Sequence, residues 1–298
     1  MLYKLKKILK RPVYLLTSPA SRGYLNWVPD KVYLKILYRL WVGKKLNLKN
    51  PTTYNEKMQW LKLNDRREEY RKMVDKYEVR KYIAEKIGKE YLVECYGVYD
   101  NFNQIDFSTL PEKFVMKCTH DSGSIIICKD KKSFNRDVAK KKIKRAMKRS
   151  YYGAYREWPY KGLKPRIIVE EYLEDGTGRD LIDYKVNCFN GKARFIMTHE
   201  NRYVHHTQAY YDANWNKLDL TQPYLPDSPG VLERPAQLEK IIELSEYLSK
   251  DMYHARIDWY LIRNKIYFGE ITFYCASGLE PFGGDGDMIV GEMLDISK

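Results

Sequence analysis

Cysteine is scarce in this chain: 5 residues in 298, an odd number, with no C-x-x-C pair. That excludes a disulfide framework and argues against thiolate-held zinc. Cys95, Cys118, Cys128, Cys188 and Cys275 are expected to be free thiols, most of them in apolar runs, in a reducing cytoplasm. Long apolar runs are missing too: none approaches the ~20 residues that span a bilayer. The basic N-terminus, M-L-Y-K-L-K-K-I-L-K-R, is followed by no apolar core or small-residue cleavage site, so no secretory signal is expected. There is no G-x-x-x-x-G-K-[ST] and no G-x-G-x-x-G after a strand, which excludes a Walker A loop and a dinucleotide-binding opening. The basic run Ser133–Arg149 lacks interleaved aromatics, and no nucleic-acid-binding motif occurs. His205 and His206 stand side by side with no third ligand at helical or strand spacing, so no metal site is assigned there. Acidic residues are outnumbered, 39 to 53, for a net charge of +14. That balance favours an anionic partner: a nucleotide, a nucleic acid, an anionic glycan or a membrane surface.

What is present describes a folded protein with a sizeable core. Hydrophobic residues make up 44% of the chain, with 27 Tyr and 6 Trp. Leu2, Leu5, Ile8 and Leu9 share a helical face among Lys4, Lys6, Lys7, Lys10 and Arg11. Such a helix suits an anionic leaflet, or equally a first helix docked on the fold with a solvated basic face. Val32–Leu40 and Thr53–Leu63 carry helix-spaced apolar residues, and Thr53 with Glu56 resembles a capping box. A helix is expected over Tyr77–Ile87, ending at Gly88. Phe114–Cys128 reads as strand, small-residue loop, strand. Thr119, Ser122, Gly123 and Ser124 could present backbone N–H groups to phosphates, with Lys117 as a point charge; a plain hairpin with a polar turn fits as well. Ile167–Leu173 and Leu181–Phe189 read as strands, and Asn190-Gly191 signals a type I′ hairpin returning through Lys192–His199. His199–Leu225 reads as a long polar loop, and Pro235–Lys250 as an amphipathic helix.

The most informative stretch is Arg256–Gly278. Two strand-like runs, Ile257–Ile262 and Ile266–Phe273, flank Arg263-Asn264-Lys265, where Asn264 suits a left-handed turn position. Alternation puts Asp258 on one face with Arg256 and Tyr260, and Glu270 on one face with Thr272 and Phe268. Pairing across the hairpin would gather Asp258, Glu270 and Thr272. These are hard oxygen ligands suited to Mg²⁺, with an Arg placed for a developing oxyanion.

The order of these pieces resembles the ATP-grasp superfamily. The matching parts are Asp75-Lys76 before a helix, Lys117–Ser124, Glu170–Leu173, Asp183–Lys185, Arg256–Asp258 and Glu270–Thr272. The phrases NPTTYNEKMQWLKL, DKYEVRKYI, KCTHDSGS, DYKVNCFNGK, ARIDWYL and GEITFYCASG look like its TupA-like branch, associated with teichuronopeptide and capsular polysaccharide synthesis. The resemblance covers roughly residues 46–298. It implies an α+β ATP-grasp fold: a helical segment over 1–70, a lid subdomain over 71–163 and a C-terminal subdomain over 164–298. Two antiparallel sheets would clasp a nucleotide cleft. It implies ATP and Mg²⁺ as cofactors. Lys76 and Lys117 would meet the phosphates, and the loop at His120, Ser122 and Gly123 would close over them. Glu170 and Glu171 would read adenine with the backbone near Leu173. Asp183 would lie by the ribose or phosphates, with Lys185 on the γ-phosphate. Asp258, Glu270 and Thr272 would hold metal, and Arg256 would stabilise the oxyanion. Many members of the superfamily have Asn where this chain has Thr272, a weaker ligand that puts a second metal ion in doubt.

The activity implied is ATP-dependent amide formation through an acyl phosphate. It would join an amino acid or other amine to an anionic, uronic-acid-bearing glycan or its lipid- or nucleotide-linked precursor, at or near the inner membrane face. Three other readings compete. Asp285-Gly286-Asp287 is a D-x-D of the kind that holds a metal on a nucleotide sugar in glycosyltransferases. A sugar kinase could use the same scaffold, and an inert glycan-binding protein could retain it.

Overall fold

A computed structural model describes residues 13–202 and 204–297. The basic segment before residue 13, with its helical pattern of leucines, lies outside the described residues. The described chain is α+β and contains two antiparallel sheets. It divides into two compact units, one of residues up to 46, 62–82 and 93–172, the other of 47–61, 83–92 and 173 onward. The polypeptide therefore passes from unit to unit five times, at 46/47, 61/62, 82/83, 92/93 and 172/173.

The first unit opens with helices α1 (Val13–Ala20) and α2 (Asp30–Val42). In α2 Tyr33, Leu34, Leu37 and Tyr38 repeat at helical spacing and are buried, and Gly43 ends the helix in the left-handed conformation. Asp30 is gripped by Arg66 at 2.6 Å, Arg156 at 3.1 Å and the Tyr152 hydroxyl at 2.8 Å. The unit's sheet has the order β1-β4-β2-β3, from β1 (Cys95–Tyr99), β2 (Phe114–Cys118), β3 (Ile126–Cys128) and β4 (Ile167–Glu171). Phe114, Met116, Ile167 and Val169 alternate inward and pack with Phe107, Ala139 and Ile143 in the core. β4 pairs with both β1 and β2. The expected boundary at 163/164 therefore falls short of the last strand of the first sheet, because the ladder hydrogen bonds assign Ile167–Glu171 to it.

The expected capping box is present: the Glu56 amide donates to Thr53 Oγ1 at 3.3 Å, and the Thr53 amide to Glu56 Oε2 at 3.4 Å. It starts α3 (Tyr54–Asn64). Most of α3 belongs to the second unit, so residues 1–70 are not one separate helical segment. Tyr54 stacks on Phe189, and Gln59 donates to the carbonyls of Ser277 and Gly278 at 2.9 and 2.6 Å. Short helices α4 (Glu69–Val74) and α5 (Val79–Lys86) follow, the second closing at Gly88, whose φ is +119°.

The second unit's sheet has the order β7-β6-β5-β8-β9. Its strands are β5 (Asp183–Phe189), β6 (Lys192–Glu200), β7 (Thr207–Tyr211), β8 (His254–Ile262) and β9 (Lys265–Thr272). β7 lies inside the stretch expected to be loop. All five of its residues are buried, so its sequence carries no polar–apolar alternation to announce it. Among the helices of the first unit α6 (Arg136–Met147) is the basic one, and α7 (Tyr151–Tyr155) follows it. In the second unit α8 (Leu238–Ser249) packs on β5, β6 and β8, with Trp259 Nε1 donating to Ser245 Oγ at 2.8 Å. Helix α9 (Gly286–Glu292) begins within the D-x-D, with Asp285 at its N-cap, and Asp287 is bound by Asn55. That carboxylate therefore ties α9 to α3 rather than standing open as half of a metal pair.

The β5–β6 turn has Asn190 at φ +51° and Gly191 at +74°, as a type I′ hairpin requires. A Cβ on Gly191 would lie 2.6 Å from the Lys250 carbonyl oxygen. Gly191→Ala is therefore expected to cost about 2 kcal/mol, from left-handed strain plus displaced backbone, read as a lower urea midpoint at unchanged slope.

Candidate active site

Strands β5, β8 and β9 bring the predicted chemistry onto one sheet face. Lys185 pairs with Asp258, Asp183 with Tyr260, Asp258 with Glu270, and Arg256 with Thr272. The face holds because the strands alternate: Tyr184, Val186, Ile257 and Trp259 turn into the core, leaving Asp183, Lys185, Arg256 and Asp258 opposite. A bulge follows Asp258, where the register skips Gly269 and pairs Trp259 with Phe268. Phe268 is thereby buried against Trp259 instead of sharing the Glu270 face, as strict alternation had predicted. In the β8–β9 turn the left-handed residue is Arg263, at φ +55°, rather than Asn264.

Arg256 is the hub. Its Nε donates to Asp258 Oδ1 at 2.6 Å. Its Nη2 faces Asp258 Oδ2 at 2.8 Å, Glu270 Oε1 at 3.1 Å and Thr272 Oγ1 at 3.1 Å. Two protons on that nitrogen thus serve three oxygens. Burial works against the charge, but Asp258, Cys275 and Glu270 outweigh it and hold the guanidinium pKa well above its usual value. Lys185 Nζ is paired with Asp258 Oδ2, the oxygen that also faces Arg256 Nη2, and stands 4.0 Å from Asp183 Oδ1. Asp183 is bound in turn by Arg202. Three cations and three carboxylates thus neutralise one another.

This donor set fits a hard divalent cation. Two carboxylates and a hydroxyl already converge on one positive centre, and an ion of higher coordination number would serve three oxygens better than two N–H groups do. Asp258, Glu270 and, more weakly, Thr272 would hold it. Among the described residues no cluster of three His, Cys, Asp or Glu is set up as a metal cage. Mg²⁺ needs none, since it retains waters and substrate phosphates.

The remaining candidates lie mostly in the first unit. Lys117 Nζ is 2.7 Å from Glu170 Oε2, and Arg80 Nη1 is 3.1 Å from Glu170 Oε1. Glu170 is therefore clamped by two cations, a role the adenine-reading expectation did not include. Glu171, half-buried beside it, donates its amide to the Glu94 carbonyl at 2.9 Å, and the half-buried Leu173 follows the strand. Lys76 Nζ is bonded to the Asp121 carbonyl, and Ser124 Oγ bridges Asp121 Oδ1 at 2.6 Å and the Cys118 amide at 2.8 Å. These contacts brace the loop from within. Ser122 and Gly123 are exposed at its tip, Gly123 with φ +93°. His120 is buried, and burial lowers its pKa.

Five participants escaped the sequence reading. Arg202 reaches Asp183 from the segment after β6. His199, the strand partner of Asp183, places Nδ1 2.7 Å from Nε2 of His206. Burial, with Lys185 and Arg202 nearby, holds His199 neutral. Cys275 places Sγ 3.8 Å from Arg256 Nη1 and 3.5 Å from Asn187 Oδ1. The one sequence signal was the shared parity of Asp183, Lys185 and Asn187 along β5.

No curated protein matches the chain. Solved structures are similar at low identity. D-alanine–D-alanine ligase from Bacillus anthracis is 16% identical over 67% of this chain and 57% of that one, with a TM-score of 0.39. The Helicobacter pylori D-alanine–D-alanine ligase is 15% identical over 75% and 61%, at 0.38. A RimK domain ATP-grasp protein from Sphaerobacter thermophilus is 10% identical over 75% and 67%, at 0.41. The chain thus spans about three fifths of the length of these D-alanine–D-alanine ligases. The family model described as TupA-like ATPgrasp matches residues 56–295, most of the chain. The chain belongs to the TupA-like ATP-grasp family.

Proposed function

We propose that the protein is an ATP-dependent carboxylate–amine ligase joining an amino acid to a uronic-acid-bearing surface polysaccharide or its precursor. The observation that carries this reading is the convergence of Asp258, Glu270 and Thr272 on one Arg256 nitrogen, with Lys185 on the same carboxylate. Membership of the TupA-like ATP-grasp family supports the reaction class. The net charge of +14 is compatible with a polyanionic acceptor.

In this reading a substrate carboxylate oxygen attacks the γ-phosphorus of ATP, the bond to the β-phosphate oxygen breaks, and ADP leaves. An amine nitrogen then adds to the carbonyl carbon of the acyl phosphate. Inorganic phosphate departs, a proton is lost from nitrogen, and the amide remains. Lys185 exchanges Asp258 for the γ-phosphate. Asp258, Glu270 and Thr272 would hold Mg²⁺, which would supply neutralisation of phosphate charge. Arg256 donates to the oxyanion that forms when the amine adds. Catalysis is positioning and charge neutralisation.

The test is a screen of amino acids against glucuronate-bearing acceptors, reading ADP and inorganic phosphate together. Equal, acceptor-dependent release of both is expected, and hydroxylamine in place of the amine should trap the acyl phosphate as a hydroxamate. ADP without phosphate would identify a kinase, and consumption of a nucleotide sugar a glycosyltransferase; either result overturns the ligase reading.

A further inference from the structure

Helix α2 has more apolar surface than the fold uses. Tyr33, Leu34, Leu37 and Tyr38 are buried, yet Val32, Ile36 and Leu40 point outward and stay 42% to 48% exposed. At i, i+4 and i+8 these three form one continuous stripe. Beside it, one residue earlier at each turn, run Lys31, Lys35 and Arg39, all exposed. The only acidic residue of the helix, Asp30, is already bound by Arg66 and Arg156. The outer face therefore offers positive charge alone, next to hydrocarbon. The turn leading into the helix carries Tyr24 and Trp27, and Trp27, at 80% exposure, is the most exposed aromatic side chain described.

A helix apolar on both sides needs a second apolar partner. A polyanionic glycan would engage the lysines and leave the stripe in water. A bilayer surface engages both: acyl chains take Val32, Ile36 and Leu40, lipid phosphates take the basic row, and a tryptophan favours the level of the headgroups. We propose that the outer face of α2, with Trp27, docks on an anionic phospholipid bilayer. This inference does not depend on the ligase reading, and it concerns residues distinct from the basic segment before residue 13.

The test is flotation of the full-length protein with phosphatidylglycerol-containing vesicles, against phosphatidylcholine alone. Binding to the anionic vesicles only, weakened by salt, is expected. Ile36→Glu/Leu40→Glu should reduce it about tenfold or more while thermal unfolding stays unchanged, because neither side chain is in the core. Lys31→Gln/Lys35→Gln/Arg39→Gln should reduce it by a similar factor, and this set introduces no charge into an apolar stripe should the first variant fold poorly. Vesicles should blue-shift the tryptophan emission of the wild type, and Trp27→Phe should remove most of that shift. Full vesicle binding by the glutamine variant would overturn the proposal. So would a wild-type dimer that Ile36→Glu dissociates, or equal binding to a soluble anionic polysaccharide.

Discussion

Asp258→Asn and Glu270→Gln are each expected to lower turnover by about a thousandfold or more, since losing roughly 4 kcal/mol of transition-state stabilisation at about 1.36 kcal/mol per decade has that effect. The two should part company in stability. Asp258 is buried and accepts from both Arg256 and Lys185, so removing its charge strands two cations away from water. Breaking a buried pair from one side costs about 3–5 kcal/mol, and Asn, which retains one acceptor oxygen, should sit at the low end. The Glu270 side chain is 41% exposed and shares its guanidinium with Asp258, so Glu270→Gln should unfold within about 1 kcal/mol of wild type. Urea midpoints measured beside steady-state rates separate the two effects. Near-normal turnover in a folded Glu270→Gln protein would refute the metal assignment.

The second large effect concerns acid. His254 is buried at the start of β8, with Nδ1 2.7 Å from the Phe273 carbonyl oxygen and Nε2 3.2 Å from the Tyr54 hydroxyl. A carbonyl can only accept, so the proton sits on Nδ1 and the Tyr54 hydroxyl donates to Nε2. Burial pushes the imidazole pKa from 6.5 down to about 4; the Phe273 carbonyl opposes the shift and Arg256 assists it. The folded pKa lies below the unfolded one, so the unfolded state binds the proton first. The contribution is complete above pH 6.5 and is lost as pH falls toward 4. At 1.36 kcal/mol per pH unit the full loss is roughly 3 kcal/mol. His254→Gln should flatten the stability profile over that window, measured by urea unfolding at a series of pH values. A variant that loses stability with acid as steeply as wild type would assign the effect to other groups, His199 first among them.

The hairpin that carries the site was legible because its chemistry alternates: Arg256, Asp258, Glu270 and Thr272 all fall where period-two parity puts them. Parity failed one residue beyond the pair, at Phe268, because a bulge is set by backbone room at Gly269, which side-chain pattern does not encode. Strand β7 was illegible for a related reason, since burial on both faces erases alternation. The Thr53–Glu56 cap and the Asn190-Gly191 turn were readable because each is a local bargain between neighbours in sequence. Arg80 on Glu170 and Arg202 on Asp183 were not, because long flexible cations choose partners in space.

The five passages of the chain between its units bear on how such a protein can be altered. Helix α3 anchors the Ser277-Gly278 turn from more than two hundred positions away, so a gene fragment starting after residue 172 would encode the second sheet without one of its own supports. No single crossover point exchanges one unit whole. Chimeras between relatives would have to be spliced at several joints at once, and a substitution in residues 47–61 meets the C-terminal unit rather than its neighbours in the gene.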